Sequence, residues 1–135
     1  MQAKVKWVEG DTFIGTSDSG HNVVFDTGSD SHAPSPMEMV LMSAGACSSV
    51  DVVSILKKAR QQVSDVQVQL SAERAPSAPK VFTKLNLHFV VSGKEVSEKH
   101  VERAVSLSAE KYCSVALMLE KSVKITHSFE VQEIA

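Results

Sequence analysis

Several features that would narrow the class of this 135-residue chain are absent or scarce. It has two cysteines, too few for a small fold held together by disulfides. Its 14 basic and 16 acidic residues are interspersed, and no basic cluster is combined with aromatic residues. A formal net charge of -2 without a basic patch argues against nucleic acid as a partner.

Targeting and membrane signals are also missing. The N-terminus, MQAKVKWVEG, has neither the apolar core nor the cleavage site of a signal peptide. The consecutive apolar runs are too short to span a bilayer. We therefore expect a soluble cytoplasmic protein without a membrane partner, folded as a single domain over residues 1–135.

The two cysteines, Cys47 and Cys113, need an explanation, because structural disulfides are rare in a reducing compartment. Free cysteine often serves as a small buried hydrophobic residue, and taken singly each cysteine fits that interpretation. As a pair they are also compatible with redox chemistry. Both interpretations stay open at this point.

The first third of the chain, AKVKWVEGDTFIGTSDSGHNVVFDTG, alternates short apolar stretches with turn-forming residues. This pattern predicts a three-stranded meander. The following DTGSDSHAPSP has no apolar period and predicts a loop.

The segment SPMEMVLMSAGACSSVDVVSIL predicts a long central helix. Ser35 is its N-cap, Pro36 occupies the first helical position and Glu38 completes a capping box. No charged residue follows from position 39 to position 50, and apolar side chains point in nearly every direction. We therefore expect a helix that is covered on most sides.

The second half predicts a mixed α+β arrangement. VQVQLSAER and VFTKLNLHFVV alternate apolar and polar residues and are joined by APSAP, which predicts a long antiparallel hairpin. SEKHVERAVSLSAEKYC predicts an amphipathic helix capped by Ser97, and SVALMLEK a second, shorter helix. The closing VKITHSFEVQEI alternates again and should join the sheet.

The surroundings of the cysteines differ along the chain. Cys113 stands where the short helix begins, so the helix dipole and nearby Lys111 should favour its thiolate. Cys47 lies inside the long helix beside Gly45, and its small neighbours indicate either a pocket or tight helix packing. Asp51, one turn further on, should raise the pKa of Cys47.

Glu38 precedes Cys47 by nine residues, which is about 13.5 Å along a straight helix. The two side chains would then point to opposite sides. Either the helix bends at Gly45, or the site combines residues of two chains.

The segments SPMEMVLMSAGACSSVDVVSIL and AEKYCSVALMLEKSVKITHSFEV together resemble the OsmC/Ohr family, and most closely its YhfA-like branch. The resemblance covers essentially the whole chain. It implies an OsmC-like α+β fold: a three-stranded N-terminal meander and a second sheet packed on a long central helix and shorter helices, in an intertwined homodimer. It further implies an enzyme of oxidative stress defence that reduces small-molecule organic hydroperoxides and is itself reduced by a lipoyl-type dithiol.

The resemblance also implies roles for three residues. Cys47 matches the peroxide-attacking cysteine, Cys113 the resolving cysteine, and Glu38 the glutamate that positions an arginine near the first thiol. The matching arginine is absent, because residues 1–37 contain no arginine. His32, in the loop before the helix, could stand in for this cation, but a histidine in a loop is usually solvated surface.

Two hypotheses follow from this departure. The chain is either a thiol-dependent peroxidase or a non-catalytic OsmC-like dimer that binds a small apolar or thiol-containing molecule. Neither needs a cofactor, and the histidines have no metal-ligand spacing. Four methionines (Met37, Met39, Met42 and Met118) fit an apolar substrate pocket, but core filling is the more common use of methionine.

Overall fold

The computed structural model describes residues 1–134. The chain divides into two compact units, the first covering residues 1–40 and the second beginning at residue 41. The long helix α1, Pro36–Lys58, begins in the first unit and continues in the second. That the whole chain forms one domain stays a prediction.

The first unit contains a three-stranded antiparallel meander, as predicted. Its strands are β1 (Ala3–Glu9), β2 (Thr12–Ser17) and β3 (Asn22–Asp26), in spatial order β1-β2-β3. Gly10 supplies the positive φ of 53° that the tight turn between β1 and β2 requires.

The loop after β3 is organised around the buried carboxylate of Asp26. This carboxylate accepts hydrogen bonds from the backbone N–H of Gly28 at 2.8 Å and of His32 at 3.3 Å, and from the Thr12 hydroxyl at 3.2 Å. The backbone donors of Gly28 and His32 are the main cause of the lowered pKa of Asp26. The loop is therefore held by hydrogen bonds rather than by apolar packing.

Helix α1 begins with the predicted capping box. The Ser35 hydroxyl accepts a hydrogen bond from the Glu38 N–H at 3.1 Å, and the Glu38 carboxylate accepts one from the Ser35 N–H at 2.9 Å. Pro36 is the first helical residue. The helix then needs no other partner for these two amide groups.

The prediction that α1 is covered on most sides is wrong for the single chain. The buried residues of α1 are Ala44, Gly45, Ser48, Val52 and Leu56. By contrast, Met42 is 43% exposed and Val50 is 68% exposed. The helix thus buries one face and leaves an apolar face uncovered.

The sequence-based statement that no segment is long enough to span a membrane was also too strict. By length and composition α1 qualifies, with a mean hydropathy of 1.8 in its most apolar window. The core helices of soluble proteins are often as long and as apolar, so this is weak evidence that α1 spans a membrane.

The second unit contains a three-stranded sheet. Strands β4 (Gln62–Arg74) and β5 (Phe82–Lys94) form the predicted long antiparallel hairpin, and β6 (Lys124–Glu133) pairs with β5 in parallel. Alternate residues of β5 build the centre of the core, namely Leu85, Leu87, Phe89 and Val91, each at most 1% exposed.

Gly45 allows β4 to lie close to α1. A Cβ atom at this position would lie 2.7 Å from a methyl group of Leu70 and 3.0 Å from one of Val68. Of the two alternatives that the small residues left open, the structure shows tight packing at Gly45.

Two helices connect β5 to β6. Helix α2 (Glu98–Leu107) is capped by Ser97, as predicted, and continues into a single π-helical turn, Ser108–Tyr112. Cys113 then caps the short helix α3, Ser114–Leu119. The π turn ends where the N–H of Cys113 donates to the carbonyl of Ser108 at 2.9 Å, and such turns are often found at functional sites.

Candidate active site

Cys47 lies in the middle of α1, and its side chain is half-buried. Its sulfur lies 3.8 Å from the hydroxyl oxygen of Ser114, the first residue of α3. The backbone N–H of Val115 also acts on this sulfur and lowers the pKa of Cys47. The side chain of Cys47, from the middle of α1, thus lies next to the N-terminal end of α3.

Cys113 is fully buried, with 0% of its surface exposed. Its sulfur accepts a hydrogen bond from the Ala116 N–H at 3.4 Å, which is the N-cap contact of α3. The thiol has one hydrogen, which it can direct to the Ala44 carbonyl, 3.9 Å away, or to Cys47. The sulfur therefore caps α3 and also lies next to α1.

The two cysteines lie close enough to influence each other's acidity, and their pKa values are displaced in opposite directions. Burial raises the pKa of Cys47, but the donors Val115 N–H, Cys113 and Ser114 outweigh it, so the pKa is lowered. Three donors to one sulfur stabilise its thiolate. Cys47 is therefore the more acidic thiol.

Cys113 behaves in the opposite way, and the prediction that it is the favoured thiolate was wrong. Burial raises its pKa to about 11, and the neighbouring Cys47 adds to this effect, against the N–H of Ala116. The pKa of Cys113 is not shifted by Lys111, whose ammonium group lies 6.0 Å from the ring centre of Tyr112. Desolvation thus outweighs the favourable position at a helix start.

A buried polar cluster lies one helical turn beyond Cys47. The Ser108 hydroxyl lies 2.8 Å from that of Ser48 and donates to the Asp51 carboxylate at 2.9 Å. As predicted, the charge on Asp51 raises the pKa of Cys47, but it is the smallest of the named causes. Neutral hydrogen-bond donors, rather than a cation, offset it in this chain.

Glu38 is part of the capping box, and the backbone N–H of Ser35 is the main cause of its lowered pKa. Its predicted role toward an arginine stays a prediction. The side chain of His32 is exposed, and its backbone N–H binds Asp26. The contact of His32 with this loop is thus made by its backbone N–H.

Sequence reasoning missed Ser114, Val115 and Ser108. The signal for Val115 was present: a cysteine at an N-cap leaves the next amide groups free to serve another ligand. Ser108 had no such signal, because its partners lie 57 and 60 residues away in the sequence.

Within residues 1–134, no group of three or more potential ligands is placed to hold a metal ion. A cavity of about 570 Å³ adjoins Asp51 and is lined by both apolar and charged side chains, including Ile55, Lys58, His100, Arg103 and Tyr112. Two of the four methionines do not fill the core. Met42 and Met118 are exposed, which contradicts the preference for core filling at these two positions.

Comparisons with known proteins identify the class. The family model described as OsmC-like protein matches residues 28–128. Protein YhfA of Escherichia coli K12 is 63% identical over 131 residues, which cover 97% of this chain and 98% of that protein.

Solved structures share the fold. A hypothetical protein from Aquifex aeolicus is 34% identical, with a TM-score of 0.89 over 99% of this chain and 97% of its own. An organic hydroperoxide resistance protein OsmC from Legionella pneumophila is 17% identical, with a TM-score of 0.71 over 96% of this chain and 95% of its own.

The chain therefore belongs to the OsmC-like family, as its sequence led us to expect, and it has the α+β fold of that class. The three-stranded sheet, the second sheet and the long helix match the predicted fold class. The YhfA name carries no specific activity, so the reaction has to be argued from the site.

Proposed function

We propose that the chain is a thiol-dependent peroxidase that reduces organic hydroperoxides, with Cys47 as the attacking and Cys113 as the resolving residue. One observation carries the proposal: a half-exposed thiol of lowered pKa lies next to a buried thiol of raised pKa. Peroxide attack requires a thiolate that solvent can reach, and Cys47 satisfies both conditions. The hydroperoxide resistance protein with the same fold supports the choice of substrate.

In the first step the Cys47 thiolate attacks the terminal oxygen of the hydroperoxide. A sulfur–oxygen bond forms, the O–O bond breaks, and the alkoxide leaves with the electron pair of that bond. Water protonates the alkoxide to the alcohol. Sulfur is thereby oxidised to sulfenic acid, and the peroxide is reduced by two electrons.

In the second step Cys113 condenses with the sulfenic acid. Its sulfur attacks that of Cys47, the sulfur–oxygen bond breaks, and the proton of the Cys113 thiol leaves with the hydroxide as water. The raised pKa of about 11 keeps Cys113 protonated until this step. A lipoyl-type dithiol then reduces the disulfide and becomes a cyclic disulfide itself.

The proposal includes a cytoplasmic, intertwined homodimer with Glu38 in its site. The exposed apolar residues Met42 and Val50 on α1 favour a partner surface, since large uncovered apolar faces usually mark an interface. A partner chain would also explain how Glu38 serves a cysteine nine residues away in sequence. The resemblance to the OsmC/Ohr family supports both parts.

The test is a thiol count after stoichiometric cumene hydroperoxide. The reduced parent protein should lose both thiols per chain and release one cumyl alcohol. Cys113→Ser should consume peroxide once and stop at a sulfenic acid, while Cys47→Ser should react at least a hundredfold more slowly. If Cys47→Ser reacts as fast as the parent, the assignment of roles is wrong.

A second candidate is a non-catalytic dimer that binds a small apolar or thiol-containing molecule. The absence of arginine from residues 1–37 favours it, and the cavity of about 570 Å³ beside Asp51 offers a site. A parent protein that keeps both thiols after cumene hydroperoxide, yet is stabilised against heat by a small apolar thiol, would select this candidate.

A further inference from the structure

Ser114 combines exposure with contact to the reactive sulfur. Its side chain is solvent-exposed, and its hydroxyl oxygen lies 3.8 Å from Cys47 Sγ. It is the first residue of α3, directly after the buried Cys113. Because Cys113 Sγ lies 3.9 Å from the Ala44 carbonyl oxygen, the backbone that carries Ser114 lies beside α1.

The three donors to Cys47 differ in what else they can reach. Val115 contributes a backbone N–H, whose direction follows that of helix α3. Cys113 is buried and is needed for the later condensation. Of these three, only the Ser114 hydroxyl belongs to an exposed side chain that can rotate and meet an incoming molecule.

We propose that Ser114 is a further catalytic residue of the peroxidase reaction, a role that rests on the proposed function. Its hydroxyl donates a hydrogen bond to the Cys47 thiolate before the reaction. As the O–O bond breaks and the charge moves from sulfur to the departing oxygen, the same hydroxyl turns to donate to the alkoxide. Water supplies the proton that converts the alkoxide into the alcohol, so Ser114 ends the step unchanged.

This role fits a chain that lacks arginine in its first 37 residues. A hydroxyl carries no charge, so its contribution is that of one hydrogen bond to an ionic group. The hydrogen bond is also stronger when its acceptor carries more negative charge. During the step this charge moves from the Cys47 sulfur to the departing oxygen. We therefore expect a moderate effect on rate, of about tenfold.

The experiment compares Ser114→Ala and Ser114→Thr with the parent and with a control, Ser106→Ala, an exposed serine of α2. The first measurement is the rate of alkylation of Cys47 by iodoacetamide against pH, read by mass spectrometry. It needs no peroxidase activity. The second is the rate of reaction with cumene hydroperoxide in single turnover.

Ser114→Ala should move the alkylation profile of Cys47 to higher pH and slow peroxide reduction about tenfold at neutral pH. The threonine variant keeps the hydroxyl and should stay within about threefold of the parent, as should Ser106→Ala. An unchanged alkylation profile in Ser114→Ala would overturn the role, even if the peroxide reaction slowed. If neither the parent nor any variant reduces peroxide, the proposed function fails. The alkylation profile would still show whether Ser114 stabilises the Cys47 thiolate.

Discussion

Cys47 and Cys113 are neighbours whose acidities diverge: the half-exposed thiol is the more acidic and the buried thiol the less acidic. Burial raises the pKa of both, and the number of donors decides the difference. The two thiols of the pair thus differ in acidity within a single chain.

This divergence predicts the pH dependence of thiol reactivity. Because burial raises the pKa of Cys113 to about 11, iodoacetamide should modify Cys47 alone at neutral pH. The stability provided by protonated Cys113 is complete below the pKa of an unfolded thiol, about 8.5, and is lost as the pH rises through about 11. Denaturant unfolding from pH 8 to 11 should show this decline, and Cys113→Ala should flatten it.

Asp51→Asn should make Cys47 more acidic. The carboxylate raises the pKa of both cysteines, and the asparagine oxygen can still accept from Ser108. We expect alkylation of Cys47 near neutral pH to become a few times faster. The matched control is Asp65→Asn on the exposed part of β4. Equal or slower alkylation in Asp51→Asn would contradict the electrostatic assignment.

Gly93→Ala should destabilise the fold more than Gly45→Ala. A Cβ atom at Gly93 would collide with the backbone carbonyl of Gln62 in the paired strand, which cannot move without breaking the sheet. At Gly45 it would meet only side-chain methyl groups, and alanine gains about 1 kcal/mol in helix propensity. We expect Gly93→Ala to lower the free energy of unfolding by about 3 kcal/mol or more.

Gly45→Ala should lower the free energy of unfolding by about 1 kcal/mol, because the neighbouring methyl groups belong to side chains that can move. Urea unfolding of both variants checks the order. A larger loss for Gly45→Ala would mean that β4 packs on α1 more rigidly than the contacts indicate.

His127 should make stability depend on pH in the acid range. Burial lowers its pKa, against the charge of Glu120, and its Nε2 atom is buried without a hydrogen-bond partner. A histidine in the unfolded chain has a pKa of about 6.5, whereas His127 in the folded chain has a lower pKa and takes up its proton only at lower pH. The stabilising contribution of neutral His127 is therefore present above about pH 6.5 and lost as the pH falls through its lowered value.

His127→Leu removes both the titration and the unpaired nitrogen. Its free energy of unfolding should change less between pH 7 and pH 5 than that of the parent. His21→Leu, at an exposed position of the first unit, is the control and should keep the slope of the parent. A parent-like slope in His127→Leu would assign the acid sensitivity to other groups.

Local patterns in the sequence determined the elements of this protein. The meander, the hairpin and both N-caps follow from alternation, turn residues and the spacing of Ser35 and Glu38, because each depends on neighbours within a few residues. The sequence also determined the family, through two segments that contain both cysteines.

Tertiary structure alone decided which cysteine is acidic and why. Its place at a helix start favoured Cys113 as the thiolate, and the resemblance to the OsmC/Ohr family indicated Cys47 as the attacking residue. Neither gave the cause, because burial and hydrogen bonding depend on contacts between residues far apart in the chain. The donors from α3 reach Cys47 only because the π turn after α2, anchored through Ser108 to α1, brings residues 113–115 beside residue 47. An acidity set by desolvation and by donors some 67 positions away leaves no local signature.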